Sequence, residues 1–291
     1  MTVDVEKLLQ YTFSPFLHTY TERDVSLYAL GVGAPLNPLD ASELRFVYEL
    51  AGDFQALPTF PVLFPSKMLI EVLTGDLPGL QFNPMMLVHG EQYLELRGAL
   101  PTSGSVRCEA HISGCYDKGS GALLVTDVLC KDEQTQQEVA FLQLSMFIRG
   151  VGGFGGERGT GAVIPSIPDR APDVEMLQET SPNQALIYRL SGDTNPLHAD
   201  PNMAAVGGFD RPILHGLATM GFSARAVLRH FCQNEAQHFK SIRVRFAKPV
   251  FPGESLLTRM WHLPEENAVV FETTVPERDA VVLNNAVVYL K

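Results

Sequence analysis

The chain is poor in cysteine, and its few cysteines are far apart. Its 291 residues include four, at positions 108, 115, 130 and 232, without the CxxC spacing typical of structural zinc sites. Four cysteines in a chain of this length need no disulfide framework and fit a reducing compartment. The composition therefore argues against a small secreted protein held together by disulfides.

Positive charge is also scarce. Lys and Arg number 22 against 33 Asp and Glu, which gives a net charge of −11 at pH 7. This balance argues against nucleic acid or an anionic membrane as the main partner, although a local basic patch can still bind an anionic ligand. No apolar run approaches the roughly 18 residues of a membrane span. Met1–Glu6 lacks the pattern of a signal peptide, and Tyr289-Leu-Lys291 differs from the peroxisomal Ser-Lys-Leu address.

Hydrophobic periodicity predicts helices and then antiparallel strands in the first half of the chain. Thr21 is a candidate cap for a helix over Thr21–Leu30. Phe60–Leu73 is apolar nearly all round, which predicts a buried helix, with Pro65 as a residue that can restrict where it begins. A short helix or turn is predicted over Asp40–Phe46, followed by a strand over Phe46–Leu50. Four strand-like runs then follow at hairpin spacing: Gln92–Leu96, Val106–Cys115, Ala122–Lys131 and Glu138–Ile148.

A segment rich in glycine and proline separates the two halves. The glycines of Gly150–Gly156 and the prolines at 165, 168 and 172 disfavour regular structure. Such glycines also occur in phosphate-binding loops, but this segment has neither the strand–loop–helix context nor the lysine of those loops. The sequence therefore predicts an N-terminal half over residues 1–149, a linker over 150–172 and a C-terminal half over 173–291.

The second half repeats the plan of the first. Tyr188–Asp193 aligns with Tyr28–Gly33 at an offset of 160 residues, and a lead helix is predicted over Asn183–Leu190. Gly216–Phe231 has helical apolar spacing and is predicted as a buried helix. Two arginines are expected on its exposed side: Arg225 and Arg229. Strands are predicted over Ser241–Val250, Ser255–Trp261, Ala268–Val275 and Val281–Leu290. Helices combined with antiparallel sheets indicate the α+β class.

The segment Tyr188–His198 brings an acid, an amide and an imidazole, Asp193, Asn195 and His198, within six residues of one another. Pro196 disfavours helical geometry at the residue before it, and the Ser-Gly-Asp that precedes is typical of turns. The three side chains are therefore expected on an irregular loop that directs a carboxylate and an imidazole at one small target, such as a water. Each alone is an ordinary turn residue, so the interpretation depends on their combination.

The same stretch carries a family resemblance. Tyr-x-Leu-Ser-Gly-Asp-x-Asn-Pro-Leu-His at 188–198, followed by Pro-Ile-Leu-His-Gly at 212–216, closely resembles the motif of the MaoC-like (R)-specific enoyl-CoA hydratases, the hydratase 2 family. The resemblance extends from about residue 20 to the C-terminus. Its other segments include Tyr20–Asp24, Tyr28–Ala34, Leu57–Phe60, His89–Leu96, Asp117–Gly119, Gly152–Gly156 and Arg245–Pro249.

This resemblance implies two hot-dog folds in tandem, each an antiparallel sheet wrapped around a buried helix. It also implies reversible addition of water to a trans-2-enoyl-CoA, giving the (3R)-3-hydroxyacyl-CoA in fatty acid metabolism. Such a reaction uses no metal and no redox cofactor, and CoA enters as part of the substrate. It needs a base for water, an acid for the α-carbon and donors for the thioester oxygen.

Four residues are expected to carry the chemistry. Asp193 and His198 would hold one water and manage both proton steps, and Asn195 would orient the water or the acid. The N–H of Gly216, at the start of the buried helix, would donate to the thioester oxygen, although glycine there also has ordinary structural uses. Substrate contacts are expected from His89, Gly90, Lys118, Thr194, Pro196, Leu197, His215 and Phe246.

Several of these contacts have an ordinary structural alternative. His215 is equally a helix-start residue, Lys118 a solvated turn lysine, and Phe246 a core aromatic of an alternating strand. Glu49 matches a glutamate that the family treats as functionally important, and it is expected as a support residue or a catalytic one.

The first half lacks the catalytic constellation, because Gly33, Pro35 and Asn37 occupy the equivalent positions. One active site is therefore expected in the C-terminal half, and the resemblance implies that the N-terminal half accommodates a bulky acyl chain. A hot-dog thioesterase and a non-catalytic acyl-thioester binding module are the competing functions. The sequence leaves open a monomer or a homodimer, and a bacterial cytoplasm or a peroxisome.

Overall fold

The computed structural model describes residues 3–159 and 161–291. Within them, ten strands form one antiparallel sheet, and two short strands pair only with each other. The strands are β1 (Phe16–Tyr20), β2 (Asp76–Leu77), β3 (Leu80–Gln81), β4 (Leu87–Leu96), β5 (Gly104–Asp117), β6 (Gly121–Asp132), β7 (Glu138–Arg149), β8 (Val174–Glu179), β9 (Phe239–Phe246), β10 (Ser255–Leu263), β11 (Ala268–Val275) and β12 (Ala280–Leu290). The main sheet has the order β1-β5-β6-β7-β4-β9-β12-β11-β10-β8, so each half contributes five strands in equivalent order from edge to centre.

Seven α-helices precede or connect the strands within the described residues. In the described parts of the chain the α-helices are α1 (Val5–Leu9), α2 (Glu22–Gly31), α3 (Ala41–Leu44), α4 (Ser66–Val72), α5 (Gln184–Tyr188), α6 (Pro201–Val206) and α7 (Gly216–Phe231). The predicted cap of α2 is confirmed, since the N–H of Thr21 donates to the Asp24 carboxylate at 2.8 Å. None of the helices in the two described ranges is long and apolar enough to cross a membrane.

The two halves are joined through the middle of the sheet. Strands β4 and β9 pair antiparallel, from Glu91 opposite Arg245 to Glu95 opposite Ser241. The lead helices α2 and α5 also pack together, and the buried rings of Tyr28 and Tyr188 lie 6.0 Å apart. The halves therefore form one pseudodimer with a continuous core, which is the predicted double hot-dog arrangement of the α+β class.

The central helices of the two halves differ. Helix α7 has the predicted bounds and is buried from Leu217 to Leu228. The prediction of a single buried helix over Phe60–Leu73 was wrong, because this stretch contains a 3₁₀ turn and then the seven-residue α4. Pro65 stands at the break, where its ring fixes φ and removes an N–H donor. Ile70 on α4 is 65% exposed, so this helix is not enclosed as α7 is.

Three further predictions need correction. Phe46–Leu50 is not a strand but a run of turns, in which the N–H of Tyr48 bonds back to the carbonyl of Leu44 and so is satisfied locally. The edge strands β1 and β8 were not among the strands predicted from the sequence. Strand β9 ends at Phe246 rather than Val250, before Pro249, which cannot donate to a ladder.

Arg225 was predicted on the exposed side of α7, but it is buried at 5% exposure. Its guanidinium donates to the Glu43 carboxylate at 3.1 Å and to the carbonyl of Val32 at 3.0 Å. The N-terminal half covers this face of α7, which helical periodicity within one element does not reveal. All four cysteines lie within the described residues and are free and buried.

Candidate active site

A cavity of about 1480 Å³ is lined by both halves of the chain. The loop that carries the sequence motif, the start of α7 and the central strands β4 and β9 contribute to its wall. Part of the N-terminal wall is apolar and comes from the broken helix: Val62, Leu63, Leu69, Ile70 and Leu73. Cationic side chains also reach the wall: Lys118, Arg149, Arg243, Arg245 and Lys248. The wall thus has an apolar part beside α4 and also carries several cationic side chains.

The motif loop is shaped by two successive turns in which a side chain accepts from the backbone. Asp193 Oδ1 accepts the N–H of Asn195 at 3.2 Å, and Asn195 Oδ1 accepts the N–H of Leu197 at 3.1 Å. Asn195 thereby caps the short 3₁₀ helix Pro196–His198. The predicted irregular segment is confirmed, and the amide oxygen of Asn195 is used to shape the loop.

His198 is held as a neutral imidazole with one nitrogen available. Its Nδ1 lies 2.8 Å from the carbonyl oxygen of Ile213, so Nδ1 carries the proton and Nε2 is an acceptor. Burial lowers the pKa of His198, and the nearby Asp193 carboxylate raises it by a smaller amount. This balance keeps the imidazole neutral at neutral pH, with Nε2 free as an acceptor.

His215 joins the motif loop to the start of α7. Its ring stacks on that of His198 with the centroids 3.7 Å apart, and its Nε2 donates to the Asp193 carbonyl at 3.2 Å. Burial lowers the pKa of His215 well below its ordinary value. A ligand atom from each of Asp193, His198 and His215 lies within 4.8 Å of the other two. The acid and the imidazole of the motif therefore share one small space, whose residue types and spacing would also suit a metal ion.

Gly216 is the first residue of α7, so its N–H has no acceptor within the helix and lies at the positive end of the helix dipole. A Cβ at this position would meet Cδ1 of Phe246 at 3.0 Å. The Phe246 ring also lies 5.0 Å from the His89 ring on the neighbouring central strand. Glycine at 216 thus serves close packing as well as leaving an N–H at the cavity wall.

The remaining predicted contacts divide into two groups. Most line the cavity: His89, Gly90, Lys118, Thr194, Pro196, Leu197 and Phe246. Burial lowers the pKa of His89 to about 4. Glu49 is exposed and does not contribute to the wall, so the structure does not bring it to this site.

Several wall residues were missed as site residues by sequence reasoning. Arg243 and Arg245 alternate with buried residues on β9, a signal that marked them only as the polar face of a strand. Met203 and Phe209 reach the wall from the segment after the motif, and they had no distinguishing pattern. Each of these residues acquires its position from pairing and packing beyond its own segment.

The fold and this site define a double hot-dog protein with an acid–imidazole pair at the start of its long buried helix. Residues 18–150 match the family model of the MFE-2 hydratase 2 N-terminal domain, and residues 163–285 match the MaoC-like domain. The chain therefore belongs to the MaoC-like hydratase 2 family, as the motif predicted.

Relatives and solved structures agree with this assignment. A Dictyostelium discoideum protein named probable enoyl-CoA hydratase 2 is 43% identical over 293 residues, covering 100% of this chain and 98% of that one. Mouse peroxisomal multifunctional enzyme type 2 is 49% identical over 278 residues, which are 94% of this chain and 37% of the mouse protein.

Among solved structures, a MaoC-like dehydratase from Phytophthora capsici superposes with a TM-score of 0.89 at 38% identity, covering 99% of this chain and 98% of that one. A Mycobacterium tuberculosis protein described as a double hot-dog fold has a TM-score of 0.58 at 12% identity, over 96% of each chain. At that identity, the second likeness concerns the fold alone.

Proposed function

We propose that the protein catalyses the reversible hydration of trans-2-enoyl-CoA to (3R)-3-hydroxyacyl-CoA in fatty acid metabolism. The observation that carries the proposal is that Asp193 and His198 line a cavity large enough for an acyl thioester, with ligand atoms of both and of the buried His215 within 4.8 Å of one another. Membership of the hydratase 2 family and the names of its enoyl-CoA hydratase relatives support the same reaction.

Asp193 and His198 hold one water between the carboxylate and Nε2 of the imidazole. The water oxygen adds to C3 of the substrate, and the pair takes up the water proton and supplies a proton to C2. Burial lowers the pKa of His198, so its imidazole is neutral at pH 7, and because the Nδ1 proton is committed to Ile213, the Nε2 lone pair is free to accept. His215 holds the Asp193 backbone in place, and Asn195 shapes the loop between the two reacting groups.

Charge that builds on the thioester oxygen is stabilised by the N–H of Gly216, which lies at the positive end of α7. The acyl chain extends into the apolar compartment beside α4, and the cationic wall residues favour the phosphates of CoA. Water addition transfers no net electrons, so the chemistry calls for no redox cofactor, and the residues named above supply both proton steps without a metal. The names of the peroxisomal relatives support a peroxisomal location in a eukaryotic host, although Tyr289-Leu-Lys291 is not the Ser-Lys-Leu address, and a cytoplasmic location is proposed for a bacterial host.

The test is loss of enoyl absorbance with crotonyl-CoA, with the handedness of the product determined. Asp193→Asn is expected to lower turnover by about 10³-fold, within the usual range for acid–base groups, and to leave CoA affinity nearly unchanged. Asp200→Asn is the matched control, since Asp200 also accepts a backbone N–H, from Asn202 at 2.8 Å, but does not line the cavity.

Three outcomes would contradict the proposal. Full activity in Asp193→Asn would remove the acid from the mechanism. Release of free CoA thiol without formation of a hydroxyacyl product would indicate a thioesterase. Loss of activity after treatment with a chelator, restored by a divalent metal, would replace the water-holding pair by a metal site.

A further inference from the structure

The glycine-rich chain that follows β7 lies against the hairpin turn between β5 and β6. We call residues 150–159 the strap. The N–H of Gly150 donates to the carbonyl of Ser120 at 2.9 Å, which begins this contact directly after the strand ends. Gly159, at the other end of the strap, lines the large cavity together with Tyr116 of β5 and Lys118 of the turn. The strap therefore reaches the cavity wall through its last residue.

One carboxylate holds the strap to the turn. Asp117 is 8% exposed, and its Oδ1 accepts the N–H of Gly119 at 2.7 Å and of Gly153 at 3.0 Å. Its Oδ2 accepts the N–H of Gly155 at 2.7 Å. The donation from Gly153, Gly119 and Gly155 lowers the pKa of the Asp117 carboxyl group. Successive N–H groups of this kind form an anion-binding concavity, and here an internal carboxylate occupies it, which explains the glycine pattern without a bound phosphate.

The close fit of strap and turn depends on the absence of side chains. A Cβ on Gly152 would meet the carbonyl oxygen of Gly119 at 2.2 Å. Gly159 has φ +66°, and a Cβ there would meet Cγ of Tyr116 at 2.6 Å. Lys118 adds a further tie, since its ammonium donates to the carbonyls of Arg158 and, at 3.3 Å, of Gly159. The strap thus packs against the turn in one defined position.

We propose that Asp117 is a positioning residue that holds the strap on the turn and thereby keeps Gly159 in place in the wall of the substrate cavity. It sets the affinity for the acyl thioester and takes no part in proton transfer, because its carboxylate oxygens are committed to backbone N–H groups. The inference rests on the proposed hydration for its kinetic readout. Its structural readout, the attachment of the strap, is independent of any reaction.

The test uses the full chain with Asp117→Asn, which keeps one acceptor oxygen but turns an NH₂ group toward an N–H donor. Tryptic cleavage after the exposed Arg158, followed as fragments 1–158 and 159–291 by mass spectrometry, is expected to become at least tenfold faster. KM for crotonyl-CoA and the dissociation constant of free CoA are expected to rise about tenfold, with kcat within about twofold. A tenfold change corresponds to about 1.4 kcal/mol.

Asp132→Asn is the matched control. Asp132 closes the turn between β6 and β7 by accepting the N–H groups of Gln134 at 3.0 Å and Thr135 at 2.7 Å, and it does not line the cavity. It should change neither the cleavage after Arg158 nor KM. Gly159→Ala is a second variant that displaces the strap with Asp117 intact, and it should raise KM in the same direction.

Unchanged cleavage in Asp117→Asn would overturn the proposal, and so would faster cleavage with unchanged KM and CoA affinity. A loss confined to kcat would also overturn it, since it would assign Asp117 to the chemical step. If the wild-type protein hydrates no enoyl-CoA, the proposed reaction fails, while cleavage and CoA affinity still decide the role of Asp117.

Discussion

At the scale of single residues, burial controls the protonation of the histidines around the cavity. The pKa values of His89, His198 and His215 are all lowered, and burial is the largest cause for each. A buried imidazole resists taking up a charge, because the protein interior solvates the charge less well than water does. The neutral state that suits proton acceptance at the site is therefore a consequence of enclosure.

This enclosure predicts a loss of stability in mild acid. The folded pKa of His89 is about 4, below the ordinary value near 6.5, so the unfolded chain binds the proton first as pH falls. Stability is therefore lost as the pH falls from about 6.5 toward 4. Between pH 7 and pH 5, His89 accounts for about 2 kcal/mol of that loss, from 1.36 kcal/mol per pH unit.

Urea unfolding at pH 7 and pH 5 measures this effect. His89→Gln should lose about 2 kcal/mol less unfolding free energy between the two pH values than the wild type does. His111→Gln, at an exposed position of the same sheet, should behave like the wild type. Equal losses in the wild type and His89→Gln would show that this imidazole does not contribute.

At the scale of elements, a buried ion pair ties α7 to the N-terminal half. Glu43 on α3 accepts from Arg225 at 3.1 Å and from Arg229 at 3.2 Å, and it also accepts the N–H of Leu36 at 2.6 Å. The side chains of Arg225 and Glu43 are 5% and 4% exposed. Burial lowers the pKa of Arg225 to about 10, so the guanidinium remains charged and requires its partner.

Removal of one partner should be costly. Glu43→Gln leaves a buried guanidinium without a counter-charge and should lower the unfolding free energy by about 3 kcal/mol, measured by urea unfolding at pH 7. Glu175→Gln breaks the exposed pair with Arg259, whose side chain is 37% exposed, and should cost less than about 1 kcal/mol. Similar small losses in both variants would show that the interior pair is not a structural tie.

At the scale of the whole molecule, the two halves have the same strand order but different central helices. The C-terminal half encloses the sixteen-residue α7, whereas the N-terminal half has the seven-residue α4 after a break at Pro65. The shorter helix leaves apolar side chains facing the cavity instead of a closed core. The two copies of the fold thus differ in what they bring to the cavity: the C-terminal half carries the motif, and the N-terminal half lines the cavity with apolar side chains.

This asymmetry predicts a dependence on acyl chain length. Leu69→Trp places a larger ring in the apolar compartment and should lower kcat/KM for a long-chain enoyl-CoA at least tenfold, about 1.4 kcal/mol. Crotonyl-CoA, whose acyl group is too short to reach α4, should change less than about twofold. Lys67→Trp on the exposed side of α4 is the control. Equal losses with both substrates would place the acyl chain elsewhere.

The local sequence pattern alone determined the bounds of several helices and strands and the position of the motif loop. The bounds of α7 and β11 follow from the spacing of their apolar residues. A helix or strand whose environment is the same along its length repeats its side-chain pattern at its own period. The irregular loop around Asp193 follows from turn chemistry, since Asn195 shapes its neighbours within two residues. The sequence also shows that the C-terminal half alone carries the motif, because Gly33 stands in the N-terminal half at the position equivalent to Asp193.

Tertiary structure alone decided how these parts meet. Several features depend on contacts between segments that are distant in sequence. They are the burial of Arg225, the pairing of the edge strands β1 and β8, the hydrogen bonds from the strap to Asp117 and the bond from His215 to the Asp193 carbonyl. Periodicity shows that an element has an apolar face and a polar one. It does not show which other segment will cover a face, because that choice depends on the packing of the complete chain.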